Sequence, residues 1–234
     1  MQLWGLPKRL LFGRGPRPHK IWFGAGAGRT FIIDPASKSQ RILGLDEFEI
    51  ASLFAAQVSA IKTFLDVGAS DGYYTILALC LNPSATAIGC EPRETYRESA
   101  LDNYRLNFPS GGPVMEWASQ LVGCEAGQTT LDQLAEHREG PFLVKIDVDG
   151  AELEVLRSGE RLLSRRDCRV LLEVHSPRLE AEAIGFLTAK HYTCRIVDNA
   201  WWRIVIPERR PGELNRWVFA EPADGERPVT RERP

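Results

Sequence analysis

From residue 61 onward, short apolar runs alternate with stretches of helical spacing, and few folds accept that alternation. Residues 61–67 are apolar apart from Lys62, Thr63 and Asp66 and stop at Gly68, as a buried strand does. Tyr73, Ile76, Leu77 and Cys80 follow at the i, i+3, i+4, i+7 spacing of an amphipathic helix. Residues 86–90, 114–118, 142–146, 169–174, 192–197 and 216–220 read as further strands. Tyr96, Ala100, Leu101 and Tyr104 mark a second helix, and Thr130-Leu131-Asp132-Gln133 has the form of a capping box. A further helix runs over 151–159, and Ser176-Pro177 opens another that ends near Lys190. Strands that take turns with helices lie parallel, with right-handed crossovers and helices on both faces. The expected class is therefore α/β.

Ahead of this core, residues 20–23 and 30–33 flank Gly24-Ala25-Gly26-Ala27-Gly28, which reads as a hairpin turn because no helix opens directly after it. A helix around 46–58 joins this hairpin to the rest. The expected organisation is a basic arm at 1–18, a hairpin and helix at 19–59, the main domain at 60–220, and a disordered tail at 221–234. The arm reads as solvated, and its longest apolar run, residues 10–12, is too short for a signal-peptide core. Trp201-Trp202 is expected to pack over a sheet edge.

Charge and cysteine content narrow the function. Twenty-nine Lys and Arg against thirty-one Asp and Glu leave a net −2, which argues against a dedicated nucleic-acid binder. No apolar run is long enough for a transmembrane segment. Five scattered cysteines, none spaced C-x-x-C, predict neither a disulfide framework nor a zinc site, and a reduced, cytoplasmic protein.

In an open parallel sheet, ligands bind beyond the carboxyl ends of the strands. The first strand ends Asp66-Val67-Gly68-Ala69-Ser70-Asp71-Gly72, and a helix begins at once. Gly68 and Gly72 permit a tight turn with close approach of a ligand, and the helix start offers N–H groups to a carboxylate. The G-x-x-x-G spacing is not the G-x-G-x-x-G of nicotinamide dehydrogenases, which makes that class the weaker alternative. Asp66 and Asp71 would repel a pyrophosphate but suit an ammonium or sulfonium group. Glu91, at the tip of the second strand, can accept hydrogen bonds from both ribose hydroxyls. An adenosine with a cationic tail, S-adenosyl-L-methionine, fits both features.

The residues 64–75 (FLDVGASDGYYT), Cys90-Glu91-Pro92, Asn103, Asn107, Thr130-Leu131-Asp132, residues 144–156 (VKIDVDGAELEVL) and Leu171-Leu172-Glu173-Val174-His175 occur in that order. In this combination the chain resembles the FkbM-type S-adenosylmethionine-dependent methyltransferases, a group associated with O-methylation. The resemblance spans roughly residues 60–200 and implies the class I methyltransferase (Rossmann-like) fold. That fold is a seven-stranded, mostly parallel sheet of order 3-2-1-4-5-7-6 with the seventh strand antiparallel. By match, the cofactor contacts fall on Asp66, Gly68, Ser70, Asp71 and Glu91, with an adenine contact near Ala118. Ala69, Gly72 and Asp147 complete the expected cofactor site. Residues 117–129 form a shorter stretch than is usual in the family, so a covering hairpin is expected to be missing.

Lys145 and Asp147 share one side of the fourth strand, and Asp147 stands at its tip. Glu173 and His175 end the fifth strand in the same way, so Asp147, Glu173 and His175 are expected to converge as catalytic groups. Asp149 and Glu152 read as solvated acids at a helix start. A general base among the three is preferred to a divalent cation held by Asp147 and Glu173, because the ligand set is thin. The absence of an Asn-Pro-Pro-Tyr-like run or a Pro-Cys strand tip speaks against nucleobase chemistry. The expected activity is O-methylation of a small molecule or sugar, with a catalytically silent cofactor-binding scaffold as the other alternative.

Overall fold

The computed structural model describes residues 11–200, 216–223 and 230–232. Strand β1 (Arg17–Lys20) pairs antiparallel with β2 (Thr30–Ile33). The first strand thus begins earlier than its apolar residues suggest. Ile21 still exchanges hydrogen bonds with Arg29 and Gly28, but Trp22 turns its N–H to the carbonyl of Ile42 and leaves the ladder.

Two helices follow where one is expected, α1 (Pro35–Leu43) and α2 (Phe48–Val58). The first has a legible start: Asp34 accepts from the N–H of Ala36, Pro35 occupies the first turn, and Gly44 closes the end with φ 70°.

The remaining elements are β3 (Thr63–Val67), α3 (Tyr73–Leu81), β4 (Thr86–Cys90), α4 (Glu94–Asn107), β5 (Met115–Ala118), α5 (Leu131–Leu134), β6 (Phe142–Ile146), α6 (Glu152–Arg157), β7 (Cys168–Val174), α7 (Pro177–Ala189), β8 (Tyr192–Val197), β9 (Arg216–Pro222) and β10 (Thr230–Glu232). They form one sheet of order β5-β4-β3-β6-β7-β9-β8-β10. Counted from β3, the first seven strands follow 3-2-1-4-5-7-6, and β9 is antiparallel to both neighbours. Thr130 and Gln133 make the expected capping box, and Ser176 caps α7.

Two further sequence expectations meet a different structure. Helix α3 is buried along nearly its whole length rather than on one stripe, because the N-terminal unit covers the face that would otherwise meet solvent. The tail expected to be disordered from 221 contributes the end of β9 and then β10, which pairs parallel with β8 at Thr230↔Arg195. An open strand edge supplies N–H and C=O groups that a passing segment can satisfy without apolar residues. Trp201 and Trp202 lie outside the described residues.

The sheet has a core on each face. Leu65, Val67, Val144, Ile146, Val170 and Leu172 point to one side and pack with Leu156, Leu163 and Leu187. Phe64, Leu143, Leu171 and Phe219 point to the other and meet Phe31, Ile33, Ile50, Phe54 and Ile76. The alternation of side chains along each strand makes this division. Among the described residues, no helix is long and apolar enough to cross a membrane.

Candidate active site

The turn between β3 and α3 is held in a conformation that few residues tolerate. Gly68, Ser70 and Gly72 all have positive φ, at 81°, 47° and 77°. A Cβ on Gly68 would come within 1.9 Å of the carbonyl oxygen of Asp147, so this position also lets β6 approach. The N–H groups of Gly68 and Ala69 both donate to the carbonyl of Cys90, which ties the turn to the end of β4. Helix α3 has no side-chain cap at its start, which leaves first-turn N–H groups for a carboxylate.

The two acids of the turn part company. Asp66 is fully buried and accepts a 2.7 Å hydrogen bond from Thr75, while its Oδ1 has no hydrogen-bond partner among the described residues. Burial pushes its carboxyl pKa up despite the lysine beside it. Asp71 instead turns to α1, where Arg41 bonds both of its oxygens at 3.0 and 2.8 Å and Lys38 adds a 2.9 Å ion pair. Burial would raise this carboxyl too, but Arg41 and then Lys38 outweigh it and hold the pKa below its usual value. The sequence reading gives Asp71 to a ligand's cationic tail; the structure gives its carboxylate to two cations of the N-terminal unit.

Glu91 follows β4 directly and is buried, with its N–H donating to the carbonyl of Ala118. Its carboxylate accepts from the backbone N–H and the guanidinium of Arg93, a residue whose side chain is largely exposed. Glu91 and Ala118 therefore stand together beside the Gly68 turn, as a ribose and adenine site requires.

A polar row crosses the sheet just beyond its apolar part. Asp66 and Lys145 face each other in register, and Lys145 Nζ lies 3.6 Å from Asp66 and 3.2 Å from Asp147. Lys145 is buried beneath the rings of Tyr74 and Trp217. Burial alone would lower its pKa, yet Asp147 and Asp66 hold it above the ordinary lysine value. The N–H of Asp147 donates to the carbonyl of Val67, so its backbone is anchored to the turn. Asp147, Glu173 and His175 each bring one carboxylate oxygen or ring nitrogen within 4.8 Å of the others.

One further residue joins this cluster that sequence reasoning assigned to solvent. Glu152, at the start of α6, is 0% exposed, and its Oε1 lies 2.6 Å from Nδ1 of His175. Its other oxygen, Oε2, has no hydrogen-bond partner among the described residues. The bond to Glu152 raises the His175 pKa against the opposing effect of burial. Nε2 of His175 lies 3.9 Å from both Glu173 and Asp149, the latter largely exposed. The spacing of Glu152, five residues after Asp147, carried no periodic signal. A helix start normally faces water, and only the packing of α6 under β7 reverses that.

Residues 117–196 match the methyltransferase FkbM domain model. No curated protein matches the chain in sequence. Among solved structures, the METTL16 MTase domain has a TM-score of 0.52 at 15% identity, covering 77% of this chain and 68% of its own. The ribosomal protein L11 methylase from Lactobacillus delbrueckii subsp. bulgaricus has a TM-score of 0.50 at 15% identity, over 76% of this chain and 80% of that one. Methyltransferase FkbM from Methylobacillus flagellatus KT also gives 0.50, at 14% identity, over 70% of this chain and 44% of that one. At these identities the likeness is one of fold. Residues 117–196 of the chain thus carry an FkbM methyltransferase domain match, set within a class I methyltransferase fold.

Proposed function

We propose that the protein transfers a methyl group from S-adenosyl-L-methionine to a hydroxyl of a small molecule or sugar. The observation that carries this reading is the convergence of Asp147, Glu173 and His175 within 4.8 Å, anchored to the Gly68 turn through the N–H of Asp147. The residues present fit the cofactor: Glu91 offers a buried carboxylate for ribose hydroxyls, and the start of α3, with no side-chain cap, offers N–H groups to a carboxylate. Ala69, Ser70 and Gly72 supply the surrounding backbone, and Ala118 the adenine wall. When bound, the cofactor supplies an electrophilic methyl carbon.

The rest is work for this chain's side chains. Glu152 accepts the Nδ1–H of His175, which leaves Nε2 able to take a proton from the acceptor hydroxyl. Asp147 and Glu173 flank that nitrogen and can orient the hydroxyl by accepting or relaying its hydrogen bond. Lys145 places a positive charge 3.2 Å from Asp147, which opposes a second cation on that carboxylate and favours the metal-free version. The acceptor assignment rests on this site, since the shared fold also serves a ribosomal protein methylase. A cytoplasmic location belongs to the same proposal, supported by five cysteines that are all free thiols.

Calorimetric titration with S-adenosyl-L-methionine and with NAD, followed by release of S-adenosylhomocysteine against a panel of sugars and hydroxylated small molecules, tests the reading. Glu91→Ala removes charge-assisted hydrogen bonds worth about 1.5–3 kcal/mol each, so cofactor affinity should fall at least about tenfold. Asp147→Asn should bind cofactor nearly as well and turn over far more slowly. Full affinity in Glu91→Ala would remove the ribose assignment, and normal turnover in Asp147→Asn the catalytic one. Activity lost in EDTA and restored by magnesium would replace the general base by a metal. Tight binding of NAD alone would favour a dehydrogenase, and cofactor binding without transfer to any acceptor a silent scaffold.

A further inference from the structure

The first thirty-three residues contain six Lys and Arg and no acid; the first carboxylate is Asp34. The rest of the chain carries twenty-three Lys and Arg against thirty-one Asp and Glu, a net −8. So the near-neutral total conceals a strongly basic stretch of thirty-three residues ahead of an acidic remainder. In that stretch Arg14, Arg17 and Lys20 are exposed.

The first thirty-three residues and the start of α2 expose large apolar side chains. Leu11 is 77%, Phe23 66%, Trp22 54% and Phe48 46% exposed. They are neighbours: the Trp22 ring lies 5.7 Å from that of Phe12, the next residue to Leu11, and Phe23 abuts the Gly44 turn that leads to Phe48. Phe48 also lines a cavity of about 540 Å³ with Ala25, Ala51, Leu53, Ala55 and Val197, so the apolar surface continues inward. The acids beside the patch are already engaged, Asp46 by Arg41 and Glu49 by the N–H of Ala200. Protein surfaces do not commonly group exposed Trp, Phe and Leu in this way without a partner.

We propose that this face seats the protein on an anionic lipid surface. Trp22, Phe23, Leu11 and Phe48 enter the headgroup and upper acyl region, where an aromatic ring with one polar edge is favoured. Arg14 and Arg17 meet the lipid phosphates, their stems lying along the apolar layer. Nucleic acid would satisfy the cations but give Leu11, Phe23 and Phe48 no reason to be exposed together. Helix α1 of the N-terminal unit pairs with Asp71 through Lys38 and Arg41, so docking brings the Gly68–Gly72 turn close to the membrane.

Co-sedimentation of the full chain with vesicles tests this without reference to methyl transfer. The protein should pellet with vesicles of phosphatidylcholine and phosphatidylglycerol at low salt. It should pellet far less with phosphatidylcholine alone or at high salt. A Trp22→Ala/Phe23→Ala variant, both sites being exposed, should keep the native circular dichroism and bind at least about tenfold more weakly. Failure to bind the anionic vesicles, or binding unchanged in the double variant, would overturn the proposal. So would tighter binding to a single-stranded RNA oligomer than to the vesicles, which would make the face a nucleic-acid surface.

Discussion

At the scale of single residues, the pairing of His175 with Glu152 is the most consequential contact in the cleft. A buried carboxylate 2.6 Å from Nδ1 fixes the ring and its tautomer and raises the pKa. A raised folded-state pKa stabilises the protonated form. The stabilisation is therefore complete below the unfolded value near 6.5 and is lost as pH rises through the folded value. With His175 as the proposed general base, which works only when deprotonated, turnover should climb over that same interval. Glu152→Gln keeps the size and removes the charge, so the midpoint of the pH–rate profile should move down toward 6.5. Turnover at the plateau should drop by up to about 10²-fold. An unchanged midpoint would show that Glu152 only fills space. His175 was visible in the sequence as a polar residue at a strand tip, but its partner was not, since a helix-start acid carries no sign of which strand end it packs against.

At the scale of elements, the two asparagines of α4 explain themselves as connectors. The side chain of Asn103 accepts from the N–H of Ile32 and donates to the carbonyl of Asp71, so one amide ties β2 to the turn. Asn107 accepts from the N–H of Thr30 and donates to its carbonyl, as a neighbouring strand would. Asn103→Ala should orphan the buried carbonyl of Asp71, at about 1–3 kcal/mol, and the half-buried N–H of Ile32, measured by urea unfolding. It should also weaken cofactor binding, because Asp71 lies within the turn. A stability loss well below 1 kcal/mol would mean that water replaces the amide. In the same way Asp132, part of the family pattern, binds the N–H groups of Arg161 and Leu162 and joins α5 to the segment after α6. These residues announce themselves in sequence by type and spacing. Whether they touch a ligand or another element is decided by what packs across from them.

For the whole molecule, the N-terminal unit and the sheet share one core. Phe54 of α2 sits between the rings of Phe64 on β3 and Tyr74 on α3, with centroids 5.5 and 4.7 Å away. We propose that residues 19–59 therefore fold with the sheet rather than as a separable domain. Phe54→Ala should cost about 3–5 kcal/mol and lower Tm by about 10 °C, in a single transition seen alike by circular dichroism and tryptophan fluorescence. Separate melting of the N-terminal unit would refute this.

The sequence alone determined the α/β class, the strand order by resemblance, and the limits of β4, β6 and β8 to the residue. These follow from local chemistry: apolar runs of strand length, a glycine turn, caps and a side-chain alternation of two. It also marked Asp66, Glu91, Asp147, Glu173 and His175, because acids and imidazoles at strand ends are conspicuous. Only the tertiary structure decided which of those groups meet, that Asp71 belongs to Arg41 and Lys38, and that Glu152 is buried against His175. It alone revealed that α3 is covered on its outer face and that β10 extends the sheet edge. Each of these depends on an element distant in sequence supplying a partner or excluding water, and neither periodicity nor composition encodes that.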